Sequence, residues 1–467
     1  MYYTTPRIVL AALKGGSGKT VLSLGLISAW QNMGVDVAPF KKGPDFIDAG
    51  WLGVAADSQC YNLDPFLMSK QDILNSLVAN SGSADVCLVE GNRGIYDGIN
   101  VDGKYSTAQL AKLIRAPVLL ILDVTMVTRT AAALLKGCQV FDPDLNIACV
   151  ILNKVAGPRQ ERLIRQTIEK YCAIPVVGAV PKLKQNLFPE RHMGLVPSQE
   201  KELSMKSITS IRETAEQHIE ITEILEIAQK ADPIDLQDTD TPVYAKQQKS
   251  RSYPVIGFIR DRAFWFYYPE NLEQLQAMGA DLVEISAISA KELPPVDALY
   301  IGGGFPETHA EALAENISFR MSLKERIETG LPVYAECGGL MYLGTDLQVN
   351  GQKYPMTGAL PIRFEFKKRP QGHGYSILEV NRANPYFPLG MLVYGHEFHY
   401  SKPVVMGENI SFAFRVRRGH GIDGSMDGII VKNVLATYTH VHARGNRYWA
   451  ESLIRAANKG VVALQEN

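Results

Sequence analysis

The chain has 467 residues, of which 46% are hydrophobic and 21% charged, enough for two or three domains and more than one core. Its formal net charge of -1 offers no bulk attraction for nucleic acid or an anionic membrane, though a local basic pocket for an anionic small molecule stays open. The six cysteines are scattered without a CxxC pair, which is not the pattern of a disulfide scaffold.

The first apolar stretch, Ile8–Leu13, runs straight into a glycine-rich loop. The longest, around Ala116–Leu122, falls far short of the roughly 20 residues of a membrane span. A soluble, cytoplasmic protein with no membrane or nucleic-acid partner is expected. Strands are predicted at Ile8–Leu13, Val35–Phe40, Asp85–Glu90, Pro117–Asp123, Ile147–Asn153 and Pro175–Val180. Helices are predicted between them, at Lys19–Asn32, Thr128–Lys136 and Pro158–Tyr171. This alternation predicts an α/β fold with a mostly parallel sheet. Composition shifts near Asp232, and the polar stretch 236–251 reads as a linker between a domain at 1–235 and another at 252–467. Alternation then restarts with strand Val255–Ile259, helix Glu270–Met278 and strands Ala298–Ile301 and Val333–Ala335. From Tyr354 onward Gly/Pro turns predict β-hairpins at one edge.

LKGGSGKT (Leu13–Thr20) lies between a predicted strand and helix, the setting of a phosphate-binding loop. Lys14, Gly15, Gly16, Ser17 and Gly18 would wrap ATP phosphates with backbone N–H groups. Lys19 would reach the β- and γ-phosphates and Thr20 would hold Mg²⁺. The extra Lys14 resembles the deviant loop of dethiobiotin-synthetase and ParA/MinD-like proteins. Two further loops, KKGPDFIDAG (Lys41–Gly50) and EGNRGIYDG (Glu90–Gly98), leave strand C-termini and converge on the same rim. Asp45, Asp48, Glu90 and Asp97 would meet there as Mg²⁺ ligands or as groups positioning a reacting carboxyl; for Asp48 a merely solvated role weighs as much. Asn153 could read the nucleobase with its amide. Arg191 and His192, in FPERHMGLVPS, could meet substrate carboxylates.

In the second half, LPVYAECGGLMYLG (Leu331–Gly344) reads as strand, sharp turn and helix. That turn would expose the Cys337 thiol at a helix N-terminus, which favours thiolate. A base would come from His440 or His442, with His440 preferred; an orienting acid two residues after His440 is missing, because His442 stands there. N–H groups of Gly302, Gly303 and Gly304 could form an oxyanion hole, chiefly Gly303 and Gly304.

These motifs, joined in order by FWFYYPENL (Phe264–Leu272), GHEFHYS (Gly395–Ser401) and YTHVH, closely resemble the cobyrinate a,c-diamide synthase family over essentially the whole chain. The resemblance implies a dethiobiotin-synthetase-like ATPase/amidoligase followed by a class I glutamine amidotransferase domain. It implies ATP, Mg²⁺, L-glutamine and a tetrapyrrole polycarboxylate, with Cys337 releasing ammonia through a thioester. It further implies that Phe46 and Ile47 contact substrate and that Asp45, Glu90 and Asp97 serve the amidating site. Asn92 and Arg93 depart from the usual EGVMGLYDG loop, and Arg93 would suit a differently placed carboxylate. Sirohaem and (nickel-)sirohydrochlorin therefore stay open as acceptors, as does a homodimer. A ParA-like ATPase switch would share the phosphate loop but has no need of an elbow cysteine, a glycine triplet and a histidine pair.

Overall fold

Apolar residues of the first half run almost unbroken through each strand, as expected of a parallel sheet covered on both faces. The computed structural model describes residues 2–183, 190–191, 194–195, 201–236, 253–405 and 410–465. It divides into two compact units, Met1–Thr241 and Pro242–Asn467.

The first unit is built on a parallel sheet of seven strands. Their order is Tyr61–Leu63, Val37–Lys42, Val86–Glu90, Arg7–Ala12, Val118–Asp123, Ile147–Val155 and Val176–Pro181. Every residue of the central strand Arg7–Ala12 is buried. Helix Lys19–Asn32 begins where predicted, and its Gly25 lets it approach Lys201–His218 closely: a Cβ there would lie 3.0 Å from Ala215 Cβ. The second strand runs to Lys42 and a helix begins at Ile47. The loop expected over 41–50 therefore shrinks to 43–46, with Lys41 on the strand and Asp48 in the first helical turn. Edge strand Tyr61–Leu63, too short to show a period, was not predicted.

The second unit has a ten-stranded sheet. Five parallel strands come first, in the order Asp281–Ile285, Val255–Ile259, Ala298–Ile301, Val333–Glu336 and Val434–Thr437. Five antiparallel ones follow: Met426–Val431, Ser411–Arg418, Gly372–Val380, Leu392–His399 and His440–Val441. The hairpins expected at one edge instead make half of this sheet and contribute to a separate four-stranded sheet. The period of two sorts the core: Leu299, Ile301, Val333 and Ala335 pack in one layer, while Tyr300, Tyr334 and Trp449 pack in the other. Three neighbouring parallel strands, Ala298–Ile301, Val333–Glu336 and Val434–Thr437, thus end side by side. The glycine triplet, Cys337 and His440 each follow one of them. Among the described residues no helix is long and apolar enough to cross a membrane.

Candidate active sites

In the first unit, glycine makes the phosphate loop feasible: Gly16 and Gly18 take φ of 71° and 92°, which other residues adopt only with strain. A Cβ on Gly15 or Gly16 would meet nothing within 4 Å, leaving open space over the loop, whereas one on Gly18 would lie 2.4 Å from Asn153 Nδ2. Asn153 donates that amide to Ser17 O at 2.8 Å and accepts from Lys154 N at 2.9 Å. The side chain expected to read a base thus braces the loop in this structure. Lys19 Nζ donates to Arg93 O at 2.7 Å, tying the phosphate loop to the EGNRG loop.

Two of the four acids meet directly at Thr20. Thr20 Oγ1 lies 3.1 Å from Glu90 Oε1 and 3.3 Å from Asp48 Oδ2. Buried Lys41 Nζ bridges the same two carboxylates at 2.5 and 2.6 Å. Burial opposes the Lys41 charge, but Asp48 and Glu90 outweigh it and hold the ammonium well above the ordinary lysine range. Burial likewise pushes Asp48 up, and Lys41 overrides it so that the carboxyl stays low; for Glu90 burial prevails and the shift is upward. Asp45 sits one step out, accepting from Asp48 N at 2.9 Å, and burial followed by Asp48 raises it to about 7. Asp97 is exposed and accepts from Gly94 N at 2.8 Å, closing its own turn, and its charge is felt by Lys19. Among the described residues no group of three His, Cys, Asp or Glu side chains could hold a metal ion unaided.

Phe46 is half-buried and Ile47 is buried in the first turn of its helix. Arg93 is exposed with φ of 50°. Arg191 lies in the short strand Glu190–Arg191; its side chain and all of His192 fall outside the described residues. Sequence reading missed Lys41, because its partners Asp48 and Glu90 come from two other elements, a helix and a distant strand. It also missed Lys154, which reaches Gly16 O at 3.1 Å and Asp123 Oδ2 at 2.9 Å, while Lys14 Nζ stands 3.7 Å from the same carboxylate. Burial would raise Asp123, but Thr125 and Lys154 hold it near 2.

In the second unit Cys337 caps the helix Gly338–Leu343 with φ of 47°, the left-handed strain of a nucleophile at a strand-to-helix turn. Its N–H donates to Thr437 O at 2.8 Å. Close packing requires the flanking glycines: a Cβ on Gly339 would lie 2.5 Å from Ile301 O, and one on Gly338 would lie 3.0 Å from Gly304 N. Gly303 in turn abuts the histidine, since its Cβ would fall 2.4 Å from His440 Cε1 and 3.1 Å from Nε2. Gly303–Gly304 therefore lies between elbow and imidazole. Gly302 is excluded from an oxyanion hole because its N–H donates to Tyr267 Oη at 2.8 Å. The triplet also does not lead directly into a helix: it pairs with Phe264–Phe266, and the 3-10 turn Pro306–His309 follows.

The thiol is not exposed. Cys337 is 4% accessible, and burial, then Glu307 and Glu336, push it far above the ordinary thiol range despite the helix terminus. A base must therefore accompany it. His440 has Nδ1 at 3.3 Å from Glu336 Oε2, turning Nε2 toward Gly303. His396 stacks on that ring at 4.9 Å and 22°; burial, then His440, keeps it neutral. His442 is engaged elsewhere: Nε2 stands 2.8 Å from Glu270 Oε2 and Nδ1 accepts from Arg444 N at 3.3 Å. Asn271 clamps the histidine segment, donating to Val441 O at 2.9 Å and accepting from Ala443 N at 2.7 Å. Glu270 and Asn271 sit in FWFYYPENL, a motif whose spacing alone gives no such contact.

Comparison with known proteins agrees with both halves. Residues 8–196 match the CobQ/CobB/MinD/ParA nucleotide binding domain, and residues 255–448 match the CobB/CobQ-like glutamine amidotransferase domain. A cobyrinate a,c-diamide synthase of Magnetococcus marinus is 42% identical over 456 residues, spanning 97% of this chain and 98% of that protein. Proteins of the same name from Archaeoglobus fulgidus and Methanosarcina acetivorans are 41% and 37% identical, each over 97% of this chain and over 98% and 96% of their own length.

Proposed function

The chain belongs to the cobyrinate a,c-diamide synthase family, and from that premise we propose that it converts acetate side-chain carboxylates of cobyrinate into carboxamides at the expense of ATP and L-glutamine. The reading rests above all on the shared strand ends that set Cys337, His440 and Gly303–Gly304 against one another in a unit separate from the phosphate loop. His440 Nε2 takes the thiol proton as sulfur attacks the glutamine amide carbon. The carbonyl oxygen becomes an oxyanion beside Gly303 and Gly304. The tetrahedral adduct expels ammonia, assisted by the proton on His440, and water then releases glutamate from the thioester.

In the first unit a substrate carboxylate attacks the ATP γ-phosphate to give an acyl phosphate and ADP. Ammonia then displaces phosphate, leaving the amide. Lys14, Lys19 and the loop N–H groups hold the phosphates. Thr20, Asp48 and Glu90 suit Mg²⁺, which takes one or two carboxylates and completes its shell with phosphate and water. When bound, Mg²⁺ would offset charge on the transferring group. Asp45 and Asp97 would flank the acceptor, with Phe46 and Arg93 toward the macrocycle; Arg191 and His192 are proposed to meet its carboxylates. Asn153 keeps the loop in shape and reaches the base only by releasing Ser17.

The test is incubation with ATP, Mg²⁺ and glutamine against cobyrinate, hydrogenobyrinate, sirohydrochlorin, its nickel form and sirohaem. On cobyrinate, mass spectrometry should show a loss of about one mass unit per carboxylate amidated. Change confined to a siro-type ring would overturn the substrate and point to Arg93; no change with any would overturn the tetrapyrrole reading. Gly303→Ala should lower glutamine hydrolysis about 100-fold by displacing the imidazole and leave amidation from free ammonia intact. Equal loss of both activities would remove Gly303 from the thiol site.

A further inference from the structure

We infer that Glu336, the residue immediately before the nucleophile, is the carboxylate that orients His440 and balances its charge when it accepts the thiol proton. This rests on the reading of Cys337 and His440 as nucleophile and base. The position two residues after His440, where an acid was sought, carries His442, and that side chain is tied to Glu270 and Arg444 N. The acid arrives instead from strand Val333–Glu336, 104 residues earlier in the chain.

Along Val333–Glu336 the side chains alternate, so Glu336 turns to the face of Tyr334 and away from Ala335. There it enters a buried layer in which Tyr300, Tyr334 and Trp449 pack. A carboxylate so placed persists only if its oxygens are fully bonded. Glu336 Oε1 accepts from Val441 N at 3.1 Å, while Oε2 accepts from Tyr300 Oη at 3.0 Å and stands 3.3 Å from His440 Nδ1. Tyr300 Oη receives Asn271 Nδ2 at 3.3 Å, so the carboxylate is held from both strand and helix. Of these partners only the imidazole can become a cation. Glu336 thereby fixes the tautomer with hydrogen on Nδ1 and leaves Nε2, on the Gly303 side of the ring, as the acceptor for the thiol proton. Other titratable groups around this ring, its carboxylate and the thiol include His396, stacked on the ring, Tyr334 beside Glu336, and Glu307, Glu397 and Tyr438 near the sulfur.

Glu336→Gln keeps an acceptor for Val441 N but places an amide donor against Nδ1. That favours the opposite tautomer, with hydrogen on Nε2, and removes the balancing charge. In the full-length protein, kcat for glutamine hydrolysis should fall about 100- to 1,000-fold, with KM for glutamine changed less than about threefold. The rate of iodoacetamide alkylation at Cys337, followed across pH, should fall at least about tenfold, and ammonia-driven amidation should stay within about twofold of wild type. A wild-type kcat and alkylation profile would overturn the inference. If the Gln variant also loses ammonia-driven amidation, Glu336→Asp is read instead, because it keeps the charge. A kcat within about tenfold of wild type supports an orienting carboxylate; a glutaminase as inactive as Cys337→Ala refutes it. Retention of glutaminase by Cys337→Ala would sink the thiol reading itself, an outcome distinct from failure of the Glu336 test.

Discussion

Cys337→Ala abolishes glutamine-dependent amidation, with hydrolysis of glutamine down at least about 10⁴-fold, and leaves ammonia-dependent amidation near the wild-type rate. The sulfur is the only atom removed. The sulfur lies 3.8 Å from Phe398 O, the Cys337 N–H donates to Thr437 O, and neighbouring Gly338 packs against the backbone of Gly303 and Gly304, all in the second unit. The phosphate loop, Lys41 and the Thr20–Glu90 contact belong to the first. Each unit has its own sheet, so a change at the elbow has no reason to unsettle phosphate binding. Parallel assays with glutamine and with ammonium chloride read the two arms separately. Loss of both would mean that the thiol site also supports the amidating site, contrary to this division.

Lys41→Met destabilises the first unit by about 3–5 kcal/mol at pH 8, because it leaves two buried carboxylates without their cation. Lys41 is 2% and Glu90 0% exposed, and both Asp48 and Glu90 lie within 2.6 Å of the ammonium. The sign with pH follows from Glu90. Burial already raises its folded pKa above the unfolded value despite Lys41, and removing the cation raises it further. Below the unfolded value, about 4.3, the group is protonated in both states and contributes no deficit. As pH climbs toward the folded value the unfolded chain sheds a proton that the folded protein keeps, and stability drains away. The deficit of the variant relative to wild type is already present near pH 5, because Lys41 no longer holds Asp48 low, and is expected to grow further by pH 8 through Glu90. Urea unfolding of both proteins at the two pH values measures it. A deficit that is flat or larger at pH 5 would show that Lys41 does not serve as the counter-ion. Ammonia-driven amidation should also fail in the variant, since Asp48 and Glu90 lose their placement at Thr20.

Local patterns made much of this legible. Helix Lys19–Asn32 and strands Val255–Ile259 and Ala298–Ile301 fall where periodicity puts them, and the glycines around Lys19 and Cys337 announce backbone that only tight turns need. What depends on distant partners did not show. Asp45, Asp48, Glu90 and Asp97 look alike in sequence, each beside a loop glycine or a strand end. Only the fold reveals that Asp97 caps its own turn on Gly94 while Asp48 and Glu90 share a lysine. Helix-terminus logic favoured a thiolate at Cys337, but burial among carboxylates outweighs one short helix. Spacing points to an acid two residues after His440, whereas Glu336 meets the ring from the end of strand Val333–Glu336, and Glu270 meets His442 from more distant sequence still.

The central claim is that nitrogen freed at Cys337 becomes the carboxamide nitrogen of the tetrapyrrole. The direct measurement is incubation of the protein with cobyrinate, ATP, Mg²⁺ and glutamine labelled with ¹⁵N at the side-chain amide, followed by mass spectrometry of the product. The expected result is ¹⁵N in every carboxamide formed by the wild type and none formed from glutamine by Cys337→Ala. Amidated product from the wild type without the label, or labelled product from Cys337→Ala, would contradict the account.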